Sequence, residues 1–262
     1  MLDQLKRVDP MHGWVLLAVV ILLLFVFEVG RWLARRREGV DANTKFHAAN
    51  VLNGMLTLLS FFLAFSFSIA SEHFENRRRI VLDEANAIGT TYLRSKYLPP
   101  AHADKIQRLL LEYANLRITP ADPSTIPRLR ERSGKIQTQL WDQAIALESV
   151  NPNSEFAGLF IVSLNEMIDL DEARITTTVV YRLPIIIMIV LFGIAILTLM
   201  VMGYSAGLRD ARSAVLTFAV VLAVSGVLVL IIDLDRPVQR AFSVDQQPLI
   251  DVRDSLEKDL RQ

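Results

Sequence analysis

The chain has 262 residues and no cysteine. This absence excludes disulfide bonds, thiolate metal sites and thiol catalysis, and it leaves the redox compartment open. The chain also has no excess of charge of either sign, because 28 basic residues balance 28 acidic residues. The balanced charge gives no reason to expect a nucleic-acid partner. No segment has a clear strand pattern and no internal repeat is evident, so neither a sheet nor a solenoid is expected.

Candidate catalytic and metal-binding groups are sparse. The four histidines have no i, i+3 or i, i+4 ligand spacing, so solvated or interfacial positions are expected rather than a metal site. The segment Gly203–Gly207 matches the G-x-S-x-G nucleophile pattern, which requires a strand-turn-helix elbow with acid and histidine partners. Small residues in a tight loop between helices explain this match better. No catalytic residue, metal or cofactor is therefore expected. The histidines are His12, His47, His73 and His102.

Long apolar blocks dominate the chain, in which 52% of residues are hydrophobic. Four blocks reach or approach the ~20 residues that cross a bilayer as a helix. No ionised residue lies at the centre of a block. Glu28 and Arg31 occur near the far end of the first block, where long side chains can reach the membrane surface. The blocks are about Trp14–Trp32, Val51–Ala70, Leu183–Tyr204 and Ala214–Ile232.

The first block could also be read as a secretory signal peptide. No small-x-small cleavage site follows it, and the next residues, RWLARRR, form a basic stop. Trp14 and Trp32 are placed as interfacial anchors at its two ends. An uncleaved first span is therefore the favoured interpretation.

The second block continues into a polar segment, and together they predict one long helix from Val51 to Leu98 that ends before Pro99-Pro100. Three further helices are expected over 101–119, 127–150 and 154–181, with Ser154 as an N-cap. The tail after the fourth block reads as a turn-rich strap ending in a helix from about Pro248. We predict an all-α membrane protein with four transmembrane helices and a helical soluble insert between helices 2 and 3.

One stripe of the long helix carries Thr57, Phe61 and Phe65 at i, i+4 and i+8. In a single span these phenylalanines would contact lipid or other helices. Four serines add polarity that lipid does not favour: Ser60, Ser66, Ser68 and Ser71. If several copies surround an axis, the stripe forms stacked aromatic rings, a hydrophobic constriction that gates by dewetting.

Arg77, Arg78 and Arg79 follow the second block directly. They can anchor the helix at the membrane edge. In an assembly around a pore they would also form a positive ring at the pore exit, which raises the local anion concentration. The two interpretations are compatible.

Several segments together resemble bestrophins. TLLSFFLAFSFSIASEHFENRR is similar to their second transmembrane helix, and DLDRPVQRAFSVDQQPLIDVRDSLEKDL is similar to the segment after their last span. The order of spans, insert and tail also agrees. LDEARITTTVVYRLP and YLRSKYLP point to the bacterial bestrophin-like branch, described as a domain of unknown function (DUF4239).

The resemblance implies a pentameric anion channel whose pore is lined by the second helix, with Thr57, Phe61 and Phe65 as its neck. It places a second constriction inside the insert, for which the face around Ile161 and Leu164 is the candidate. Thr57 departs from the aliphatic residue of the family. The calcium clasp of animal members is not expected, since the acids of the tail are not consecutive. These acids are Asp233, Asp235 and Asp245.

Loop charge does not decide the orientation in the membrane. Arg35–Arg37 between the first two spans favour a cytoplasmic first loop. Basic residues on the other side balance them: Lys6, Arg7, Arg77–Arg79, Arg236 and Arg240. The resemblance places both termini and the insert in the cytoplasm of a bacterium, in its inner membrane, and we adopt that orientation.

The sequence thus predicts four segments: the N-terminal lead and transmembrane helices 1–2 (1–72), a helical cytoplasmic insert (73–182), transmembrane helices 3–4 (183–232), and a strap with a helix (233–262). The expected function is passage of small inorganic anions through a homo-oligomer, a pentamer, embedded in membrane lipid. The alternative is a non-conducting scaffold or signalling protein whose insert binds a partner. A transporter would usually show broken helices or a buried ionisable residue near mid-membrane, and an enzyme ranks last.

Overall fold

The computed structural model describes residues 10–37, 41–118, 125–150, 153–179, 183–209, 213–235 and 244–261. Within these ranges every regular element is an α-helix, and the predicted all-α fold is confirmed. The helices are α1 (Pro10–Arg35), α2 (Ala42–Ser95), α3 (Pro100–Ile118), α4 (Ile126–Val150), α5 (Glu155–Val179), α6 (Ile185–Leu208), α7 (Ala214–Asp235) and α8 (Gln247–Leu260).

Four of these helices are long and apolar enough to cross a membrane, namely α1, α2, α6 and α7. They correspond to the four apolar blocks of the sequence. The helix α2 is 54 residues long, or about 80 Å at the usual rise per residue. It therefore extends far beyond the ~30 Å of hydrocarbon that a span has to cross.

The start of α2 lies earlier than the sequence indicates. The helix begins at Ala42 rather than Val51, because the Asp41 carboxylate accepts a hydrogen bond from the Thr44 backbone N–H at 2.9 Å and caps the first turn. At its other end α2 stops at Ser95, and Pro100 opens α3 after a short turn. Ser154 caps α5 as predicted, accepting from the Ala157 N–H at 3.3 Å.

The chain divides into two compact units. The first unit comprises residues 1–74 and 182–243, and the second comprises residues 75–181 and 244–262. The four-segment division at 72, 182 and 232 stays a prediction. Residues 236–243 of the predicted strap lie outside the described residues.

In the first unit, α1 packs most extensively against α6. Glycines allow this approach: a Cβ on Gly203 would lie 1.9 Å from the Phe27 carbonyl oxygen, and one on Gly30 would lie 2.0 Å from that of Met200. The interpretation of Gly203–Gly207 as a loop between helices is therefore wrong, since these residues lie within α6. Their small size serves contact with α1.

The second unit has its own apolar core, built from α3, α4, α5, α8 and the last part of α2. Its largest fully buried side chains include Tyr113, Phe160 and Leu140. Leu249 and Leu256 of α8 are buried in this core. The helix α8 is thus part of the second unit's folded structure.

Candidate functional site

The predicted neck residues lie on an exposed face of α2 in the first unit. Phe61 is 63% exposed and Phe65 is 51% exposed. Their rings are nearly parallel, with centroids 6.3 Å apart and an interplanar angle of 7°. Thr57 is exposed one turn earlier, and its hydroxyl donates to the Asn53 carbonyl at 2.9 Å. The three residues therefore form one continuous surface, polar at one end and aromatic at the other.

The opposite face of the same segment is packed inside the first unit. Leu59, Ser66 and Ala70 are buried, and Leu59 and Ala70 belong to the apolar core of this unit. The α6 residue Thr198 places its hydroxyl 3.5 Å from the Met55 carbonyl. The rotation of α2 is thus fixed by its buried face, which leaves the two phenylalanines pointing away from the protomer's own core.

The three consecutive arginines Arg77–Arg79, at the start of the second unit, differ in burial. Arg77 is buried, whereas Arg78 and Arg79 are exposed. Arg78 lies 3.4 Å from the Glu75 carboxylate one turn earlier, and both side chains are more than half exposed. A positive ring could therefore involve Arg78 and Arg79, but the burial of Arg77 takes it out of contact with solvent.

The two residues of the candidate second constriction, Ile161 and Leu164, also differ in burial. Leu164 has no accessible surface and belongs to the apolar core of the second unit, whereas Ile161 is partly buried. A fully buried side chain cannot narrow a water-filled path, so Leu164 is corrected to a core residue. A pore role for Ile161 stays a prediction.

One contact in the first unit joins residues that the sequence left without partners. The His73 Nδ1 atom of α2 lies 3.8 Å from Asp235 Oδ1 at the end of α7. The same carboxylate oxygen accepts a hydrogen bond from the Leu183 N–H at 2.8 Å. Asp235 therefore links the end of α7 to the start of α6. No sequence spacing could reveal this, because the partners are brought together only by helix packing.

The second unit contains a charge cluster, defined as Glu84, Arg117, Asp171 and Arg174, in which the Arg174 side chain is 23% exposed and the other three are more deeply buried. Arg117 contacts Glu84 at 2.5 Å and Asp171 at 2.6 Å, and Arg174 contacts Glu84 at 2.6 Å. Arg174 also donates to the Gln246 side chain at 3.0 Å. The cluster has two charges of each sign, and it connects α2, α3 and α5 to the residue before α8. Sequence reasoning missed it, although Arg174 lies within the LDEARITTT segment quoted above.

Tyr113 lies beside this cluster, with its hydroxyl 3.5 Å from a Glu84 oxygen. Burial, reinforced by the charges of Glu84 and Asp171 and opposed by Arg117, raises the pKa of Tyr113 well above its usual value. Burial alone would lower the pKa of Arg117, but Glu84 and Asp171 raise it overall. The guanidinium therefore stays charged and the phenol stays neutral. Among the described residues no group of three or more histidine, aspartate or glutamate side chains is placed to hold a metal ion.

Comparison with known proteins places this geometry in a family. The Bestrophin-like domain model matches residues 13–249. Two crystal structures of a bacterial bestrophin homologue from Klebsiella pneumoniae, each with a different single substitution, have the same fold. One is 16% identical with a TM-score of 0.66, the other 17% identical with a TM-score of 0.65, and in both cases 95% of this chain and 97% of that chain are covered.

A third crystal structure, of a membrane protein variant, is 14% identical with a TM-score of 0.66, covering 96% of this chain and 98% of that one. No curated protein sequence matches the chain. At these identities the solved structures show a shared fold, and the family model extends the likeness to the sequence over most of the chain. The chain is an integral membrane protein that belongs to the Bestrophin-like family.

Proposed function

We propose that this protein is an oligomeric ion channel that conducts small anions such as chloride through a pore lined by α2. The observation that carries the proposal is the exposed Phe61–Phe65 stack on a helix whose opposite face is packed. Five copies arranged around an axis would bring five such stacks together. Membership of the Bestrophin-like family supports this arrangement.

The proposed neck works by excluding water. Two layers of phenylalanine would make a narrow apolar passage, in which a water column is unstable and an ion loses its hydration. Thr57 adds a polar group at one end of this surface, but its hydroxyl proton is donated to the Asn53 carbonyl, so the hydroxyl gives no hydrogen bond to an anion while that bond is kept. Conduction then requires a widening of the ring that lets the neck become wet.

Two features support a preference for anions. Aromatic rings carry a positive edge, so phenylalanines that turn their edges toward the axis favour an anion over a cation. Arg78 and Arg79, exposed further along α2, would raise the anion concentration at the wider end. Glu75 offsets part of this effect through its contact with Arg78. The resulting selectivity is for anions but modest.

For its setting in the cell, we propose a bacterial inner membrane with both termini and the insert in the cytoplasm. In this orientation the second unit forms the cytoplasmic vestibule, and Ile161 remains the candidate for a second narrowing there. Membrane lipid surrounds the ring.

A scaffold or signalling role is the second candidate, because the second unit exposes large apolar side chains. Tyr97 is 68% exposed and its ring stacks on that of Phe156, with centroids 5.1 Å apart. Leu93 and Val162 are each 60% exposed. These side chains could bind a partner protein without any conduction. In the channel proposal they lie between copies of this chain.

The deciding experiment is chloride flux from liposomes that contain the purified protein. Replacing Phe61 and Phe65 by alanine together removes the apolar rings, and chloride flux should rise about tenfold, which corresponds to a barrier lowered by about 1.4 kcal/mol. Phe67→Ala is the matched control. Phe67 is 39% exposed on the same helix but lies on another face of it, so flux should stay at the level of the unmodified protein.

Three results would contradict the proposal. A monomer or dimer in native mass spectrometry excludes a ring pore, whereas five copies are expected. Absence of flux in every variant favours the scaffold. An equal increase for Phe67→Ala would show that the change acts on stability or lipid contact rather than on a neck. Repeating the measurement with a potassium gradient tests the preference for anions.

A further inference from the structure

A groove in the first unit, between α1 and α7, combines apolar walls with a charged pair. Its volume is about 500 Å³. The apolar wall is made by Leu24, Phe27 and Phe218, and the polar wall by Glu28, Arg31 and Thr217. A volume of this size lies in the usual range for small-molecule sites.

The charged pair is loosely held. Arg31 Nη1 lies 3.4 Å from each of the two Glu28 oxygens, whereas charge-assisted hydrogen bonds are usually about 2.7–2.9 Å long. The Glu28 side chain is 59% exposed and that of Arg31 is 8% exposed. Both groups can therefore make stronger contacts with a ligand that carries complementary charges.

The position of Arg31 is fixed by packing on its other side. A Cβ on Gly207 of α6 would lie 2.7 Å from the Arg31 carbonyl oxygen. The backbone of α1 is thus held against α6 at this point, so the α1 wall of the groove is fixed before any ligand arrives. A preformed site avoids the cost of ordering its groups on binding.

The groove lies at the level where lipid headgroups meet the hydrocarbon. Glu28 is about 10 Å from the end of α1 at Arg35, taking the usual rise per residue. Between them Trp32 is 51% exposed, with the Arg36 guanidinium 3.7 Å from its ring centre, as is common at a membrane surface. Leu24 lies one turn deeper than Glu28. On the other side of the groove, Val215 at the start of α7 is 78% exposed.

We propose that this groove binds a phospholipid whose headgroup carries both a phosphate and a primary amine, the phosphatidylethanolamine class. The phosphate accepts hydrogen bonds from Arg31, the ammonium group donates to Glu28, and an acyl chain lies along Leu24, Phe27 and Phe218. The opposite charges of the pair match a zwitterion. A phosphatidylglycerol headgroup supplies no cation for Glu28, and a choline headgroup has no N–H to donate.

The test uses the full-length protein, freed of lipid in detergent and followed by native mass spectrometry. Phosphatidylethanolamine, phosphatidylglycerol and phosphatidylcholine with identical acyl chains are added separately. The ethanolamine lipid should bind most tightly. Glu28→Gln should weaken its binding about tenfold, as expected for one lost contact between charged groups, and should leave phosphatidylglycerol binding unchanged or stronger.

The chain offers a matched control in Glu75→Gln. Glu75 also pairs with an arginine three residues later at 3.4 Å, with a side chain 60% exposed, but it lies outside the groove. This variant should bind all three lipids as the unmodified protein does. Ala214→Trp, which fills the groove from an exposed position, should reduce binding of the ethanolamine lipid without a change in helix content.

Equal binding of the three lipids would overturn the proposal, and so would unchanged ethanolamine-lipid binding in Glu28→Gln. Absence of any bound lipid, with copies that cross-link through Ala214→Cys, would instead show that a second copy of the chain covers the groove. The result does not depend on conduction, so it stands or fails independently of the proposed channel.

Discussion

At the scale of single residues, glycines decide how closely two membrane helices approach. Gly30 and Gly203 have no Cβ, so a backbone carbonyl of the partner helix can occupy the space that the first atom of a side chain would otherwise fill. Backbone atoms cannot move aside as a flexible side chain can. Helix association in a membrane depends on such close packing, because lipid is as apolar as the helices are.

The first prediction follows from this contact. Gly203→Ala forces α1 and α6 apart and should destabilise the protein by about 1–3 kcal/mol, the usual cost of overpacking. The measurement is the melting temperature in detergent. Gly193→Ala is the control on the same helix, since a Cβ there has no atom within 4 Å. An equal loss in both variants would contradict the role given to the contact.

Tyr113 gives a prediction for alkaline pH. Burial raises its pKa in the folded protein above the unfolded value of 10.0. Its contribution to stability is therefore fully present below about pH 10 and is lost as the pH rises above that value. The melting temperature should fall above about pH 10, and the fall should be smaller in Tyr113→Phe. Identical pH profiles for the two proteins would refute this assignment.

At the scale of elements, α2 and α8 show two ways in which a helix is held. The spanning part of α2 is fixed by one buried face, and its continuation in the second unit is fixed by the charge cluster through Glu84. The helix α8 is held by Leu249 and Leu256 in the core. It is also held by Asp259, which accepts from the Tyr92 hydroxyl at 2.7 Å and contacts Lys96 at 2.6 Å.

The attachment of α8 can be measured. Leu249 has no exposed surface, so Leu249→Ala leaves a cavity and should cost roughly 2–5 kcal/mol of stability. Ser255→Ala changes an exposed position of the same helix and should have little effect. Protease sensitivity of the tail, followed together with the melting temperature, checks both expectations. A tail that stays protected in Leu249→Ala would show that α8 is held elsewhere.

At the scale of the whole molecule, orientation is open to a direct test because the chain has no cysteine. Any introduced cysteine is the sole thiol. Gln139→Cys lies at an exposed position of the second unit, and Asn43→Cys lies at an exposed position near the start of α2. In the proposed orientation a membrane-impermeant maleimide labels Asn43→Cys in intact cells and Gln139→Cys only after permeabilisation. The reverse pattern would place the insert outside.

The sequence alone predicted the stripe of α2 on which the proposed neck residues lie. The i, i+4, i+8 spacing of Thr57, Phe61 and Phe65 places them on one stripe of any helix, and the structure keeps that stripe exposed. The sequence could not show that Arg77 is buried while Arg78 and Arg79 are exposed. Adjacent residues of a helix point in directions about 100° apart, and packing decides which of them is buried. Leu164 was misjudged because only the packing of the second unit shows that its side chain is buried in the core, whereas Ile161 one turn earlier is partly buried.

The four apolar segments that can cross a membrane and the all-α class follow from the sequence by itself, because hydrocarbon imposes a minimum run of apolar residues and requires every backbone hydrogen bond to be made within the helix. The sequence also indicates that α2 continues well beyond the membrane, but it does not give the start at Ala42, which the Asp41 cap determines. The pairing of His73 with Asp235, the charge cluster and the groove at Glu28 and Arg31 were decided only by the tertiary structure. Each depends on side chains from different helices, or on a surface between helices. How closely these helices approach is determined by the packing of whole helix faces, and the local spacing of residues in the sequence does not show it.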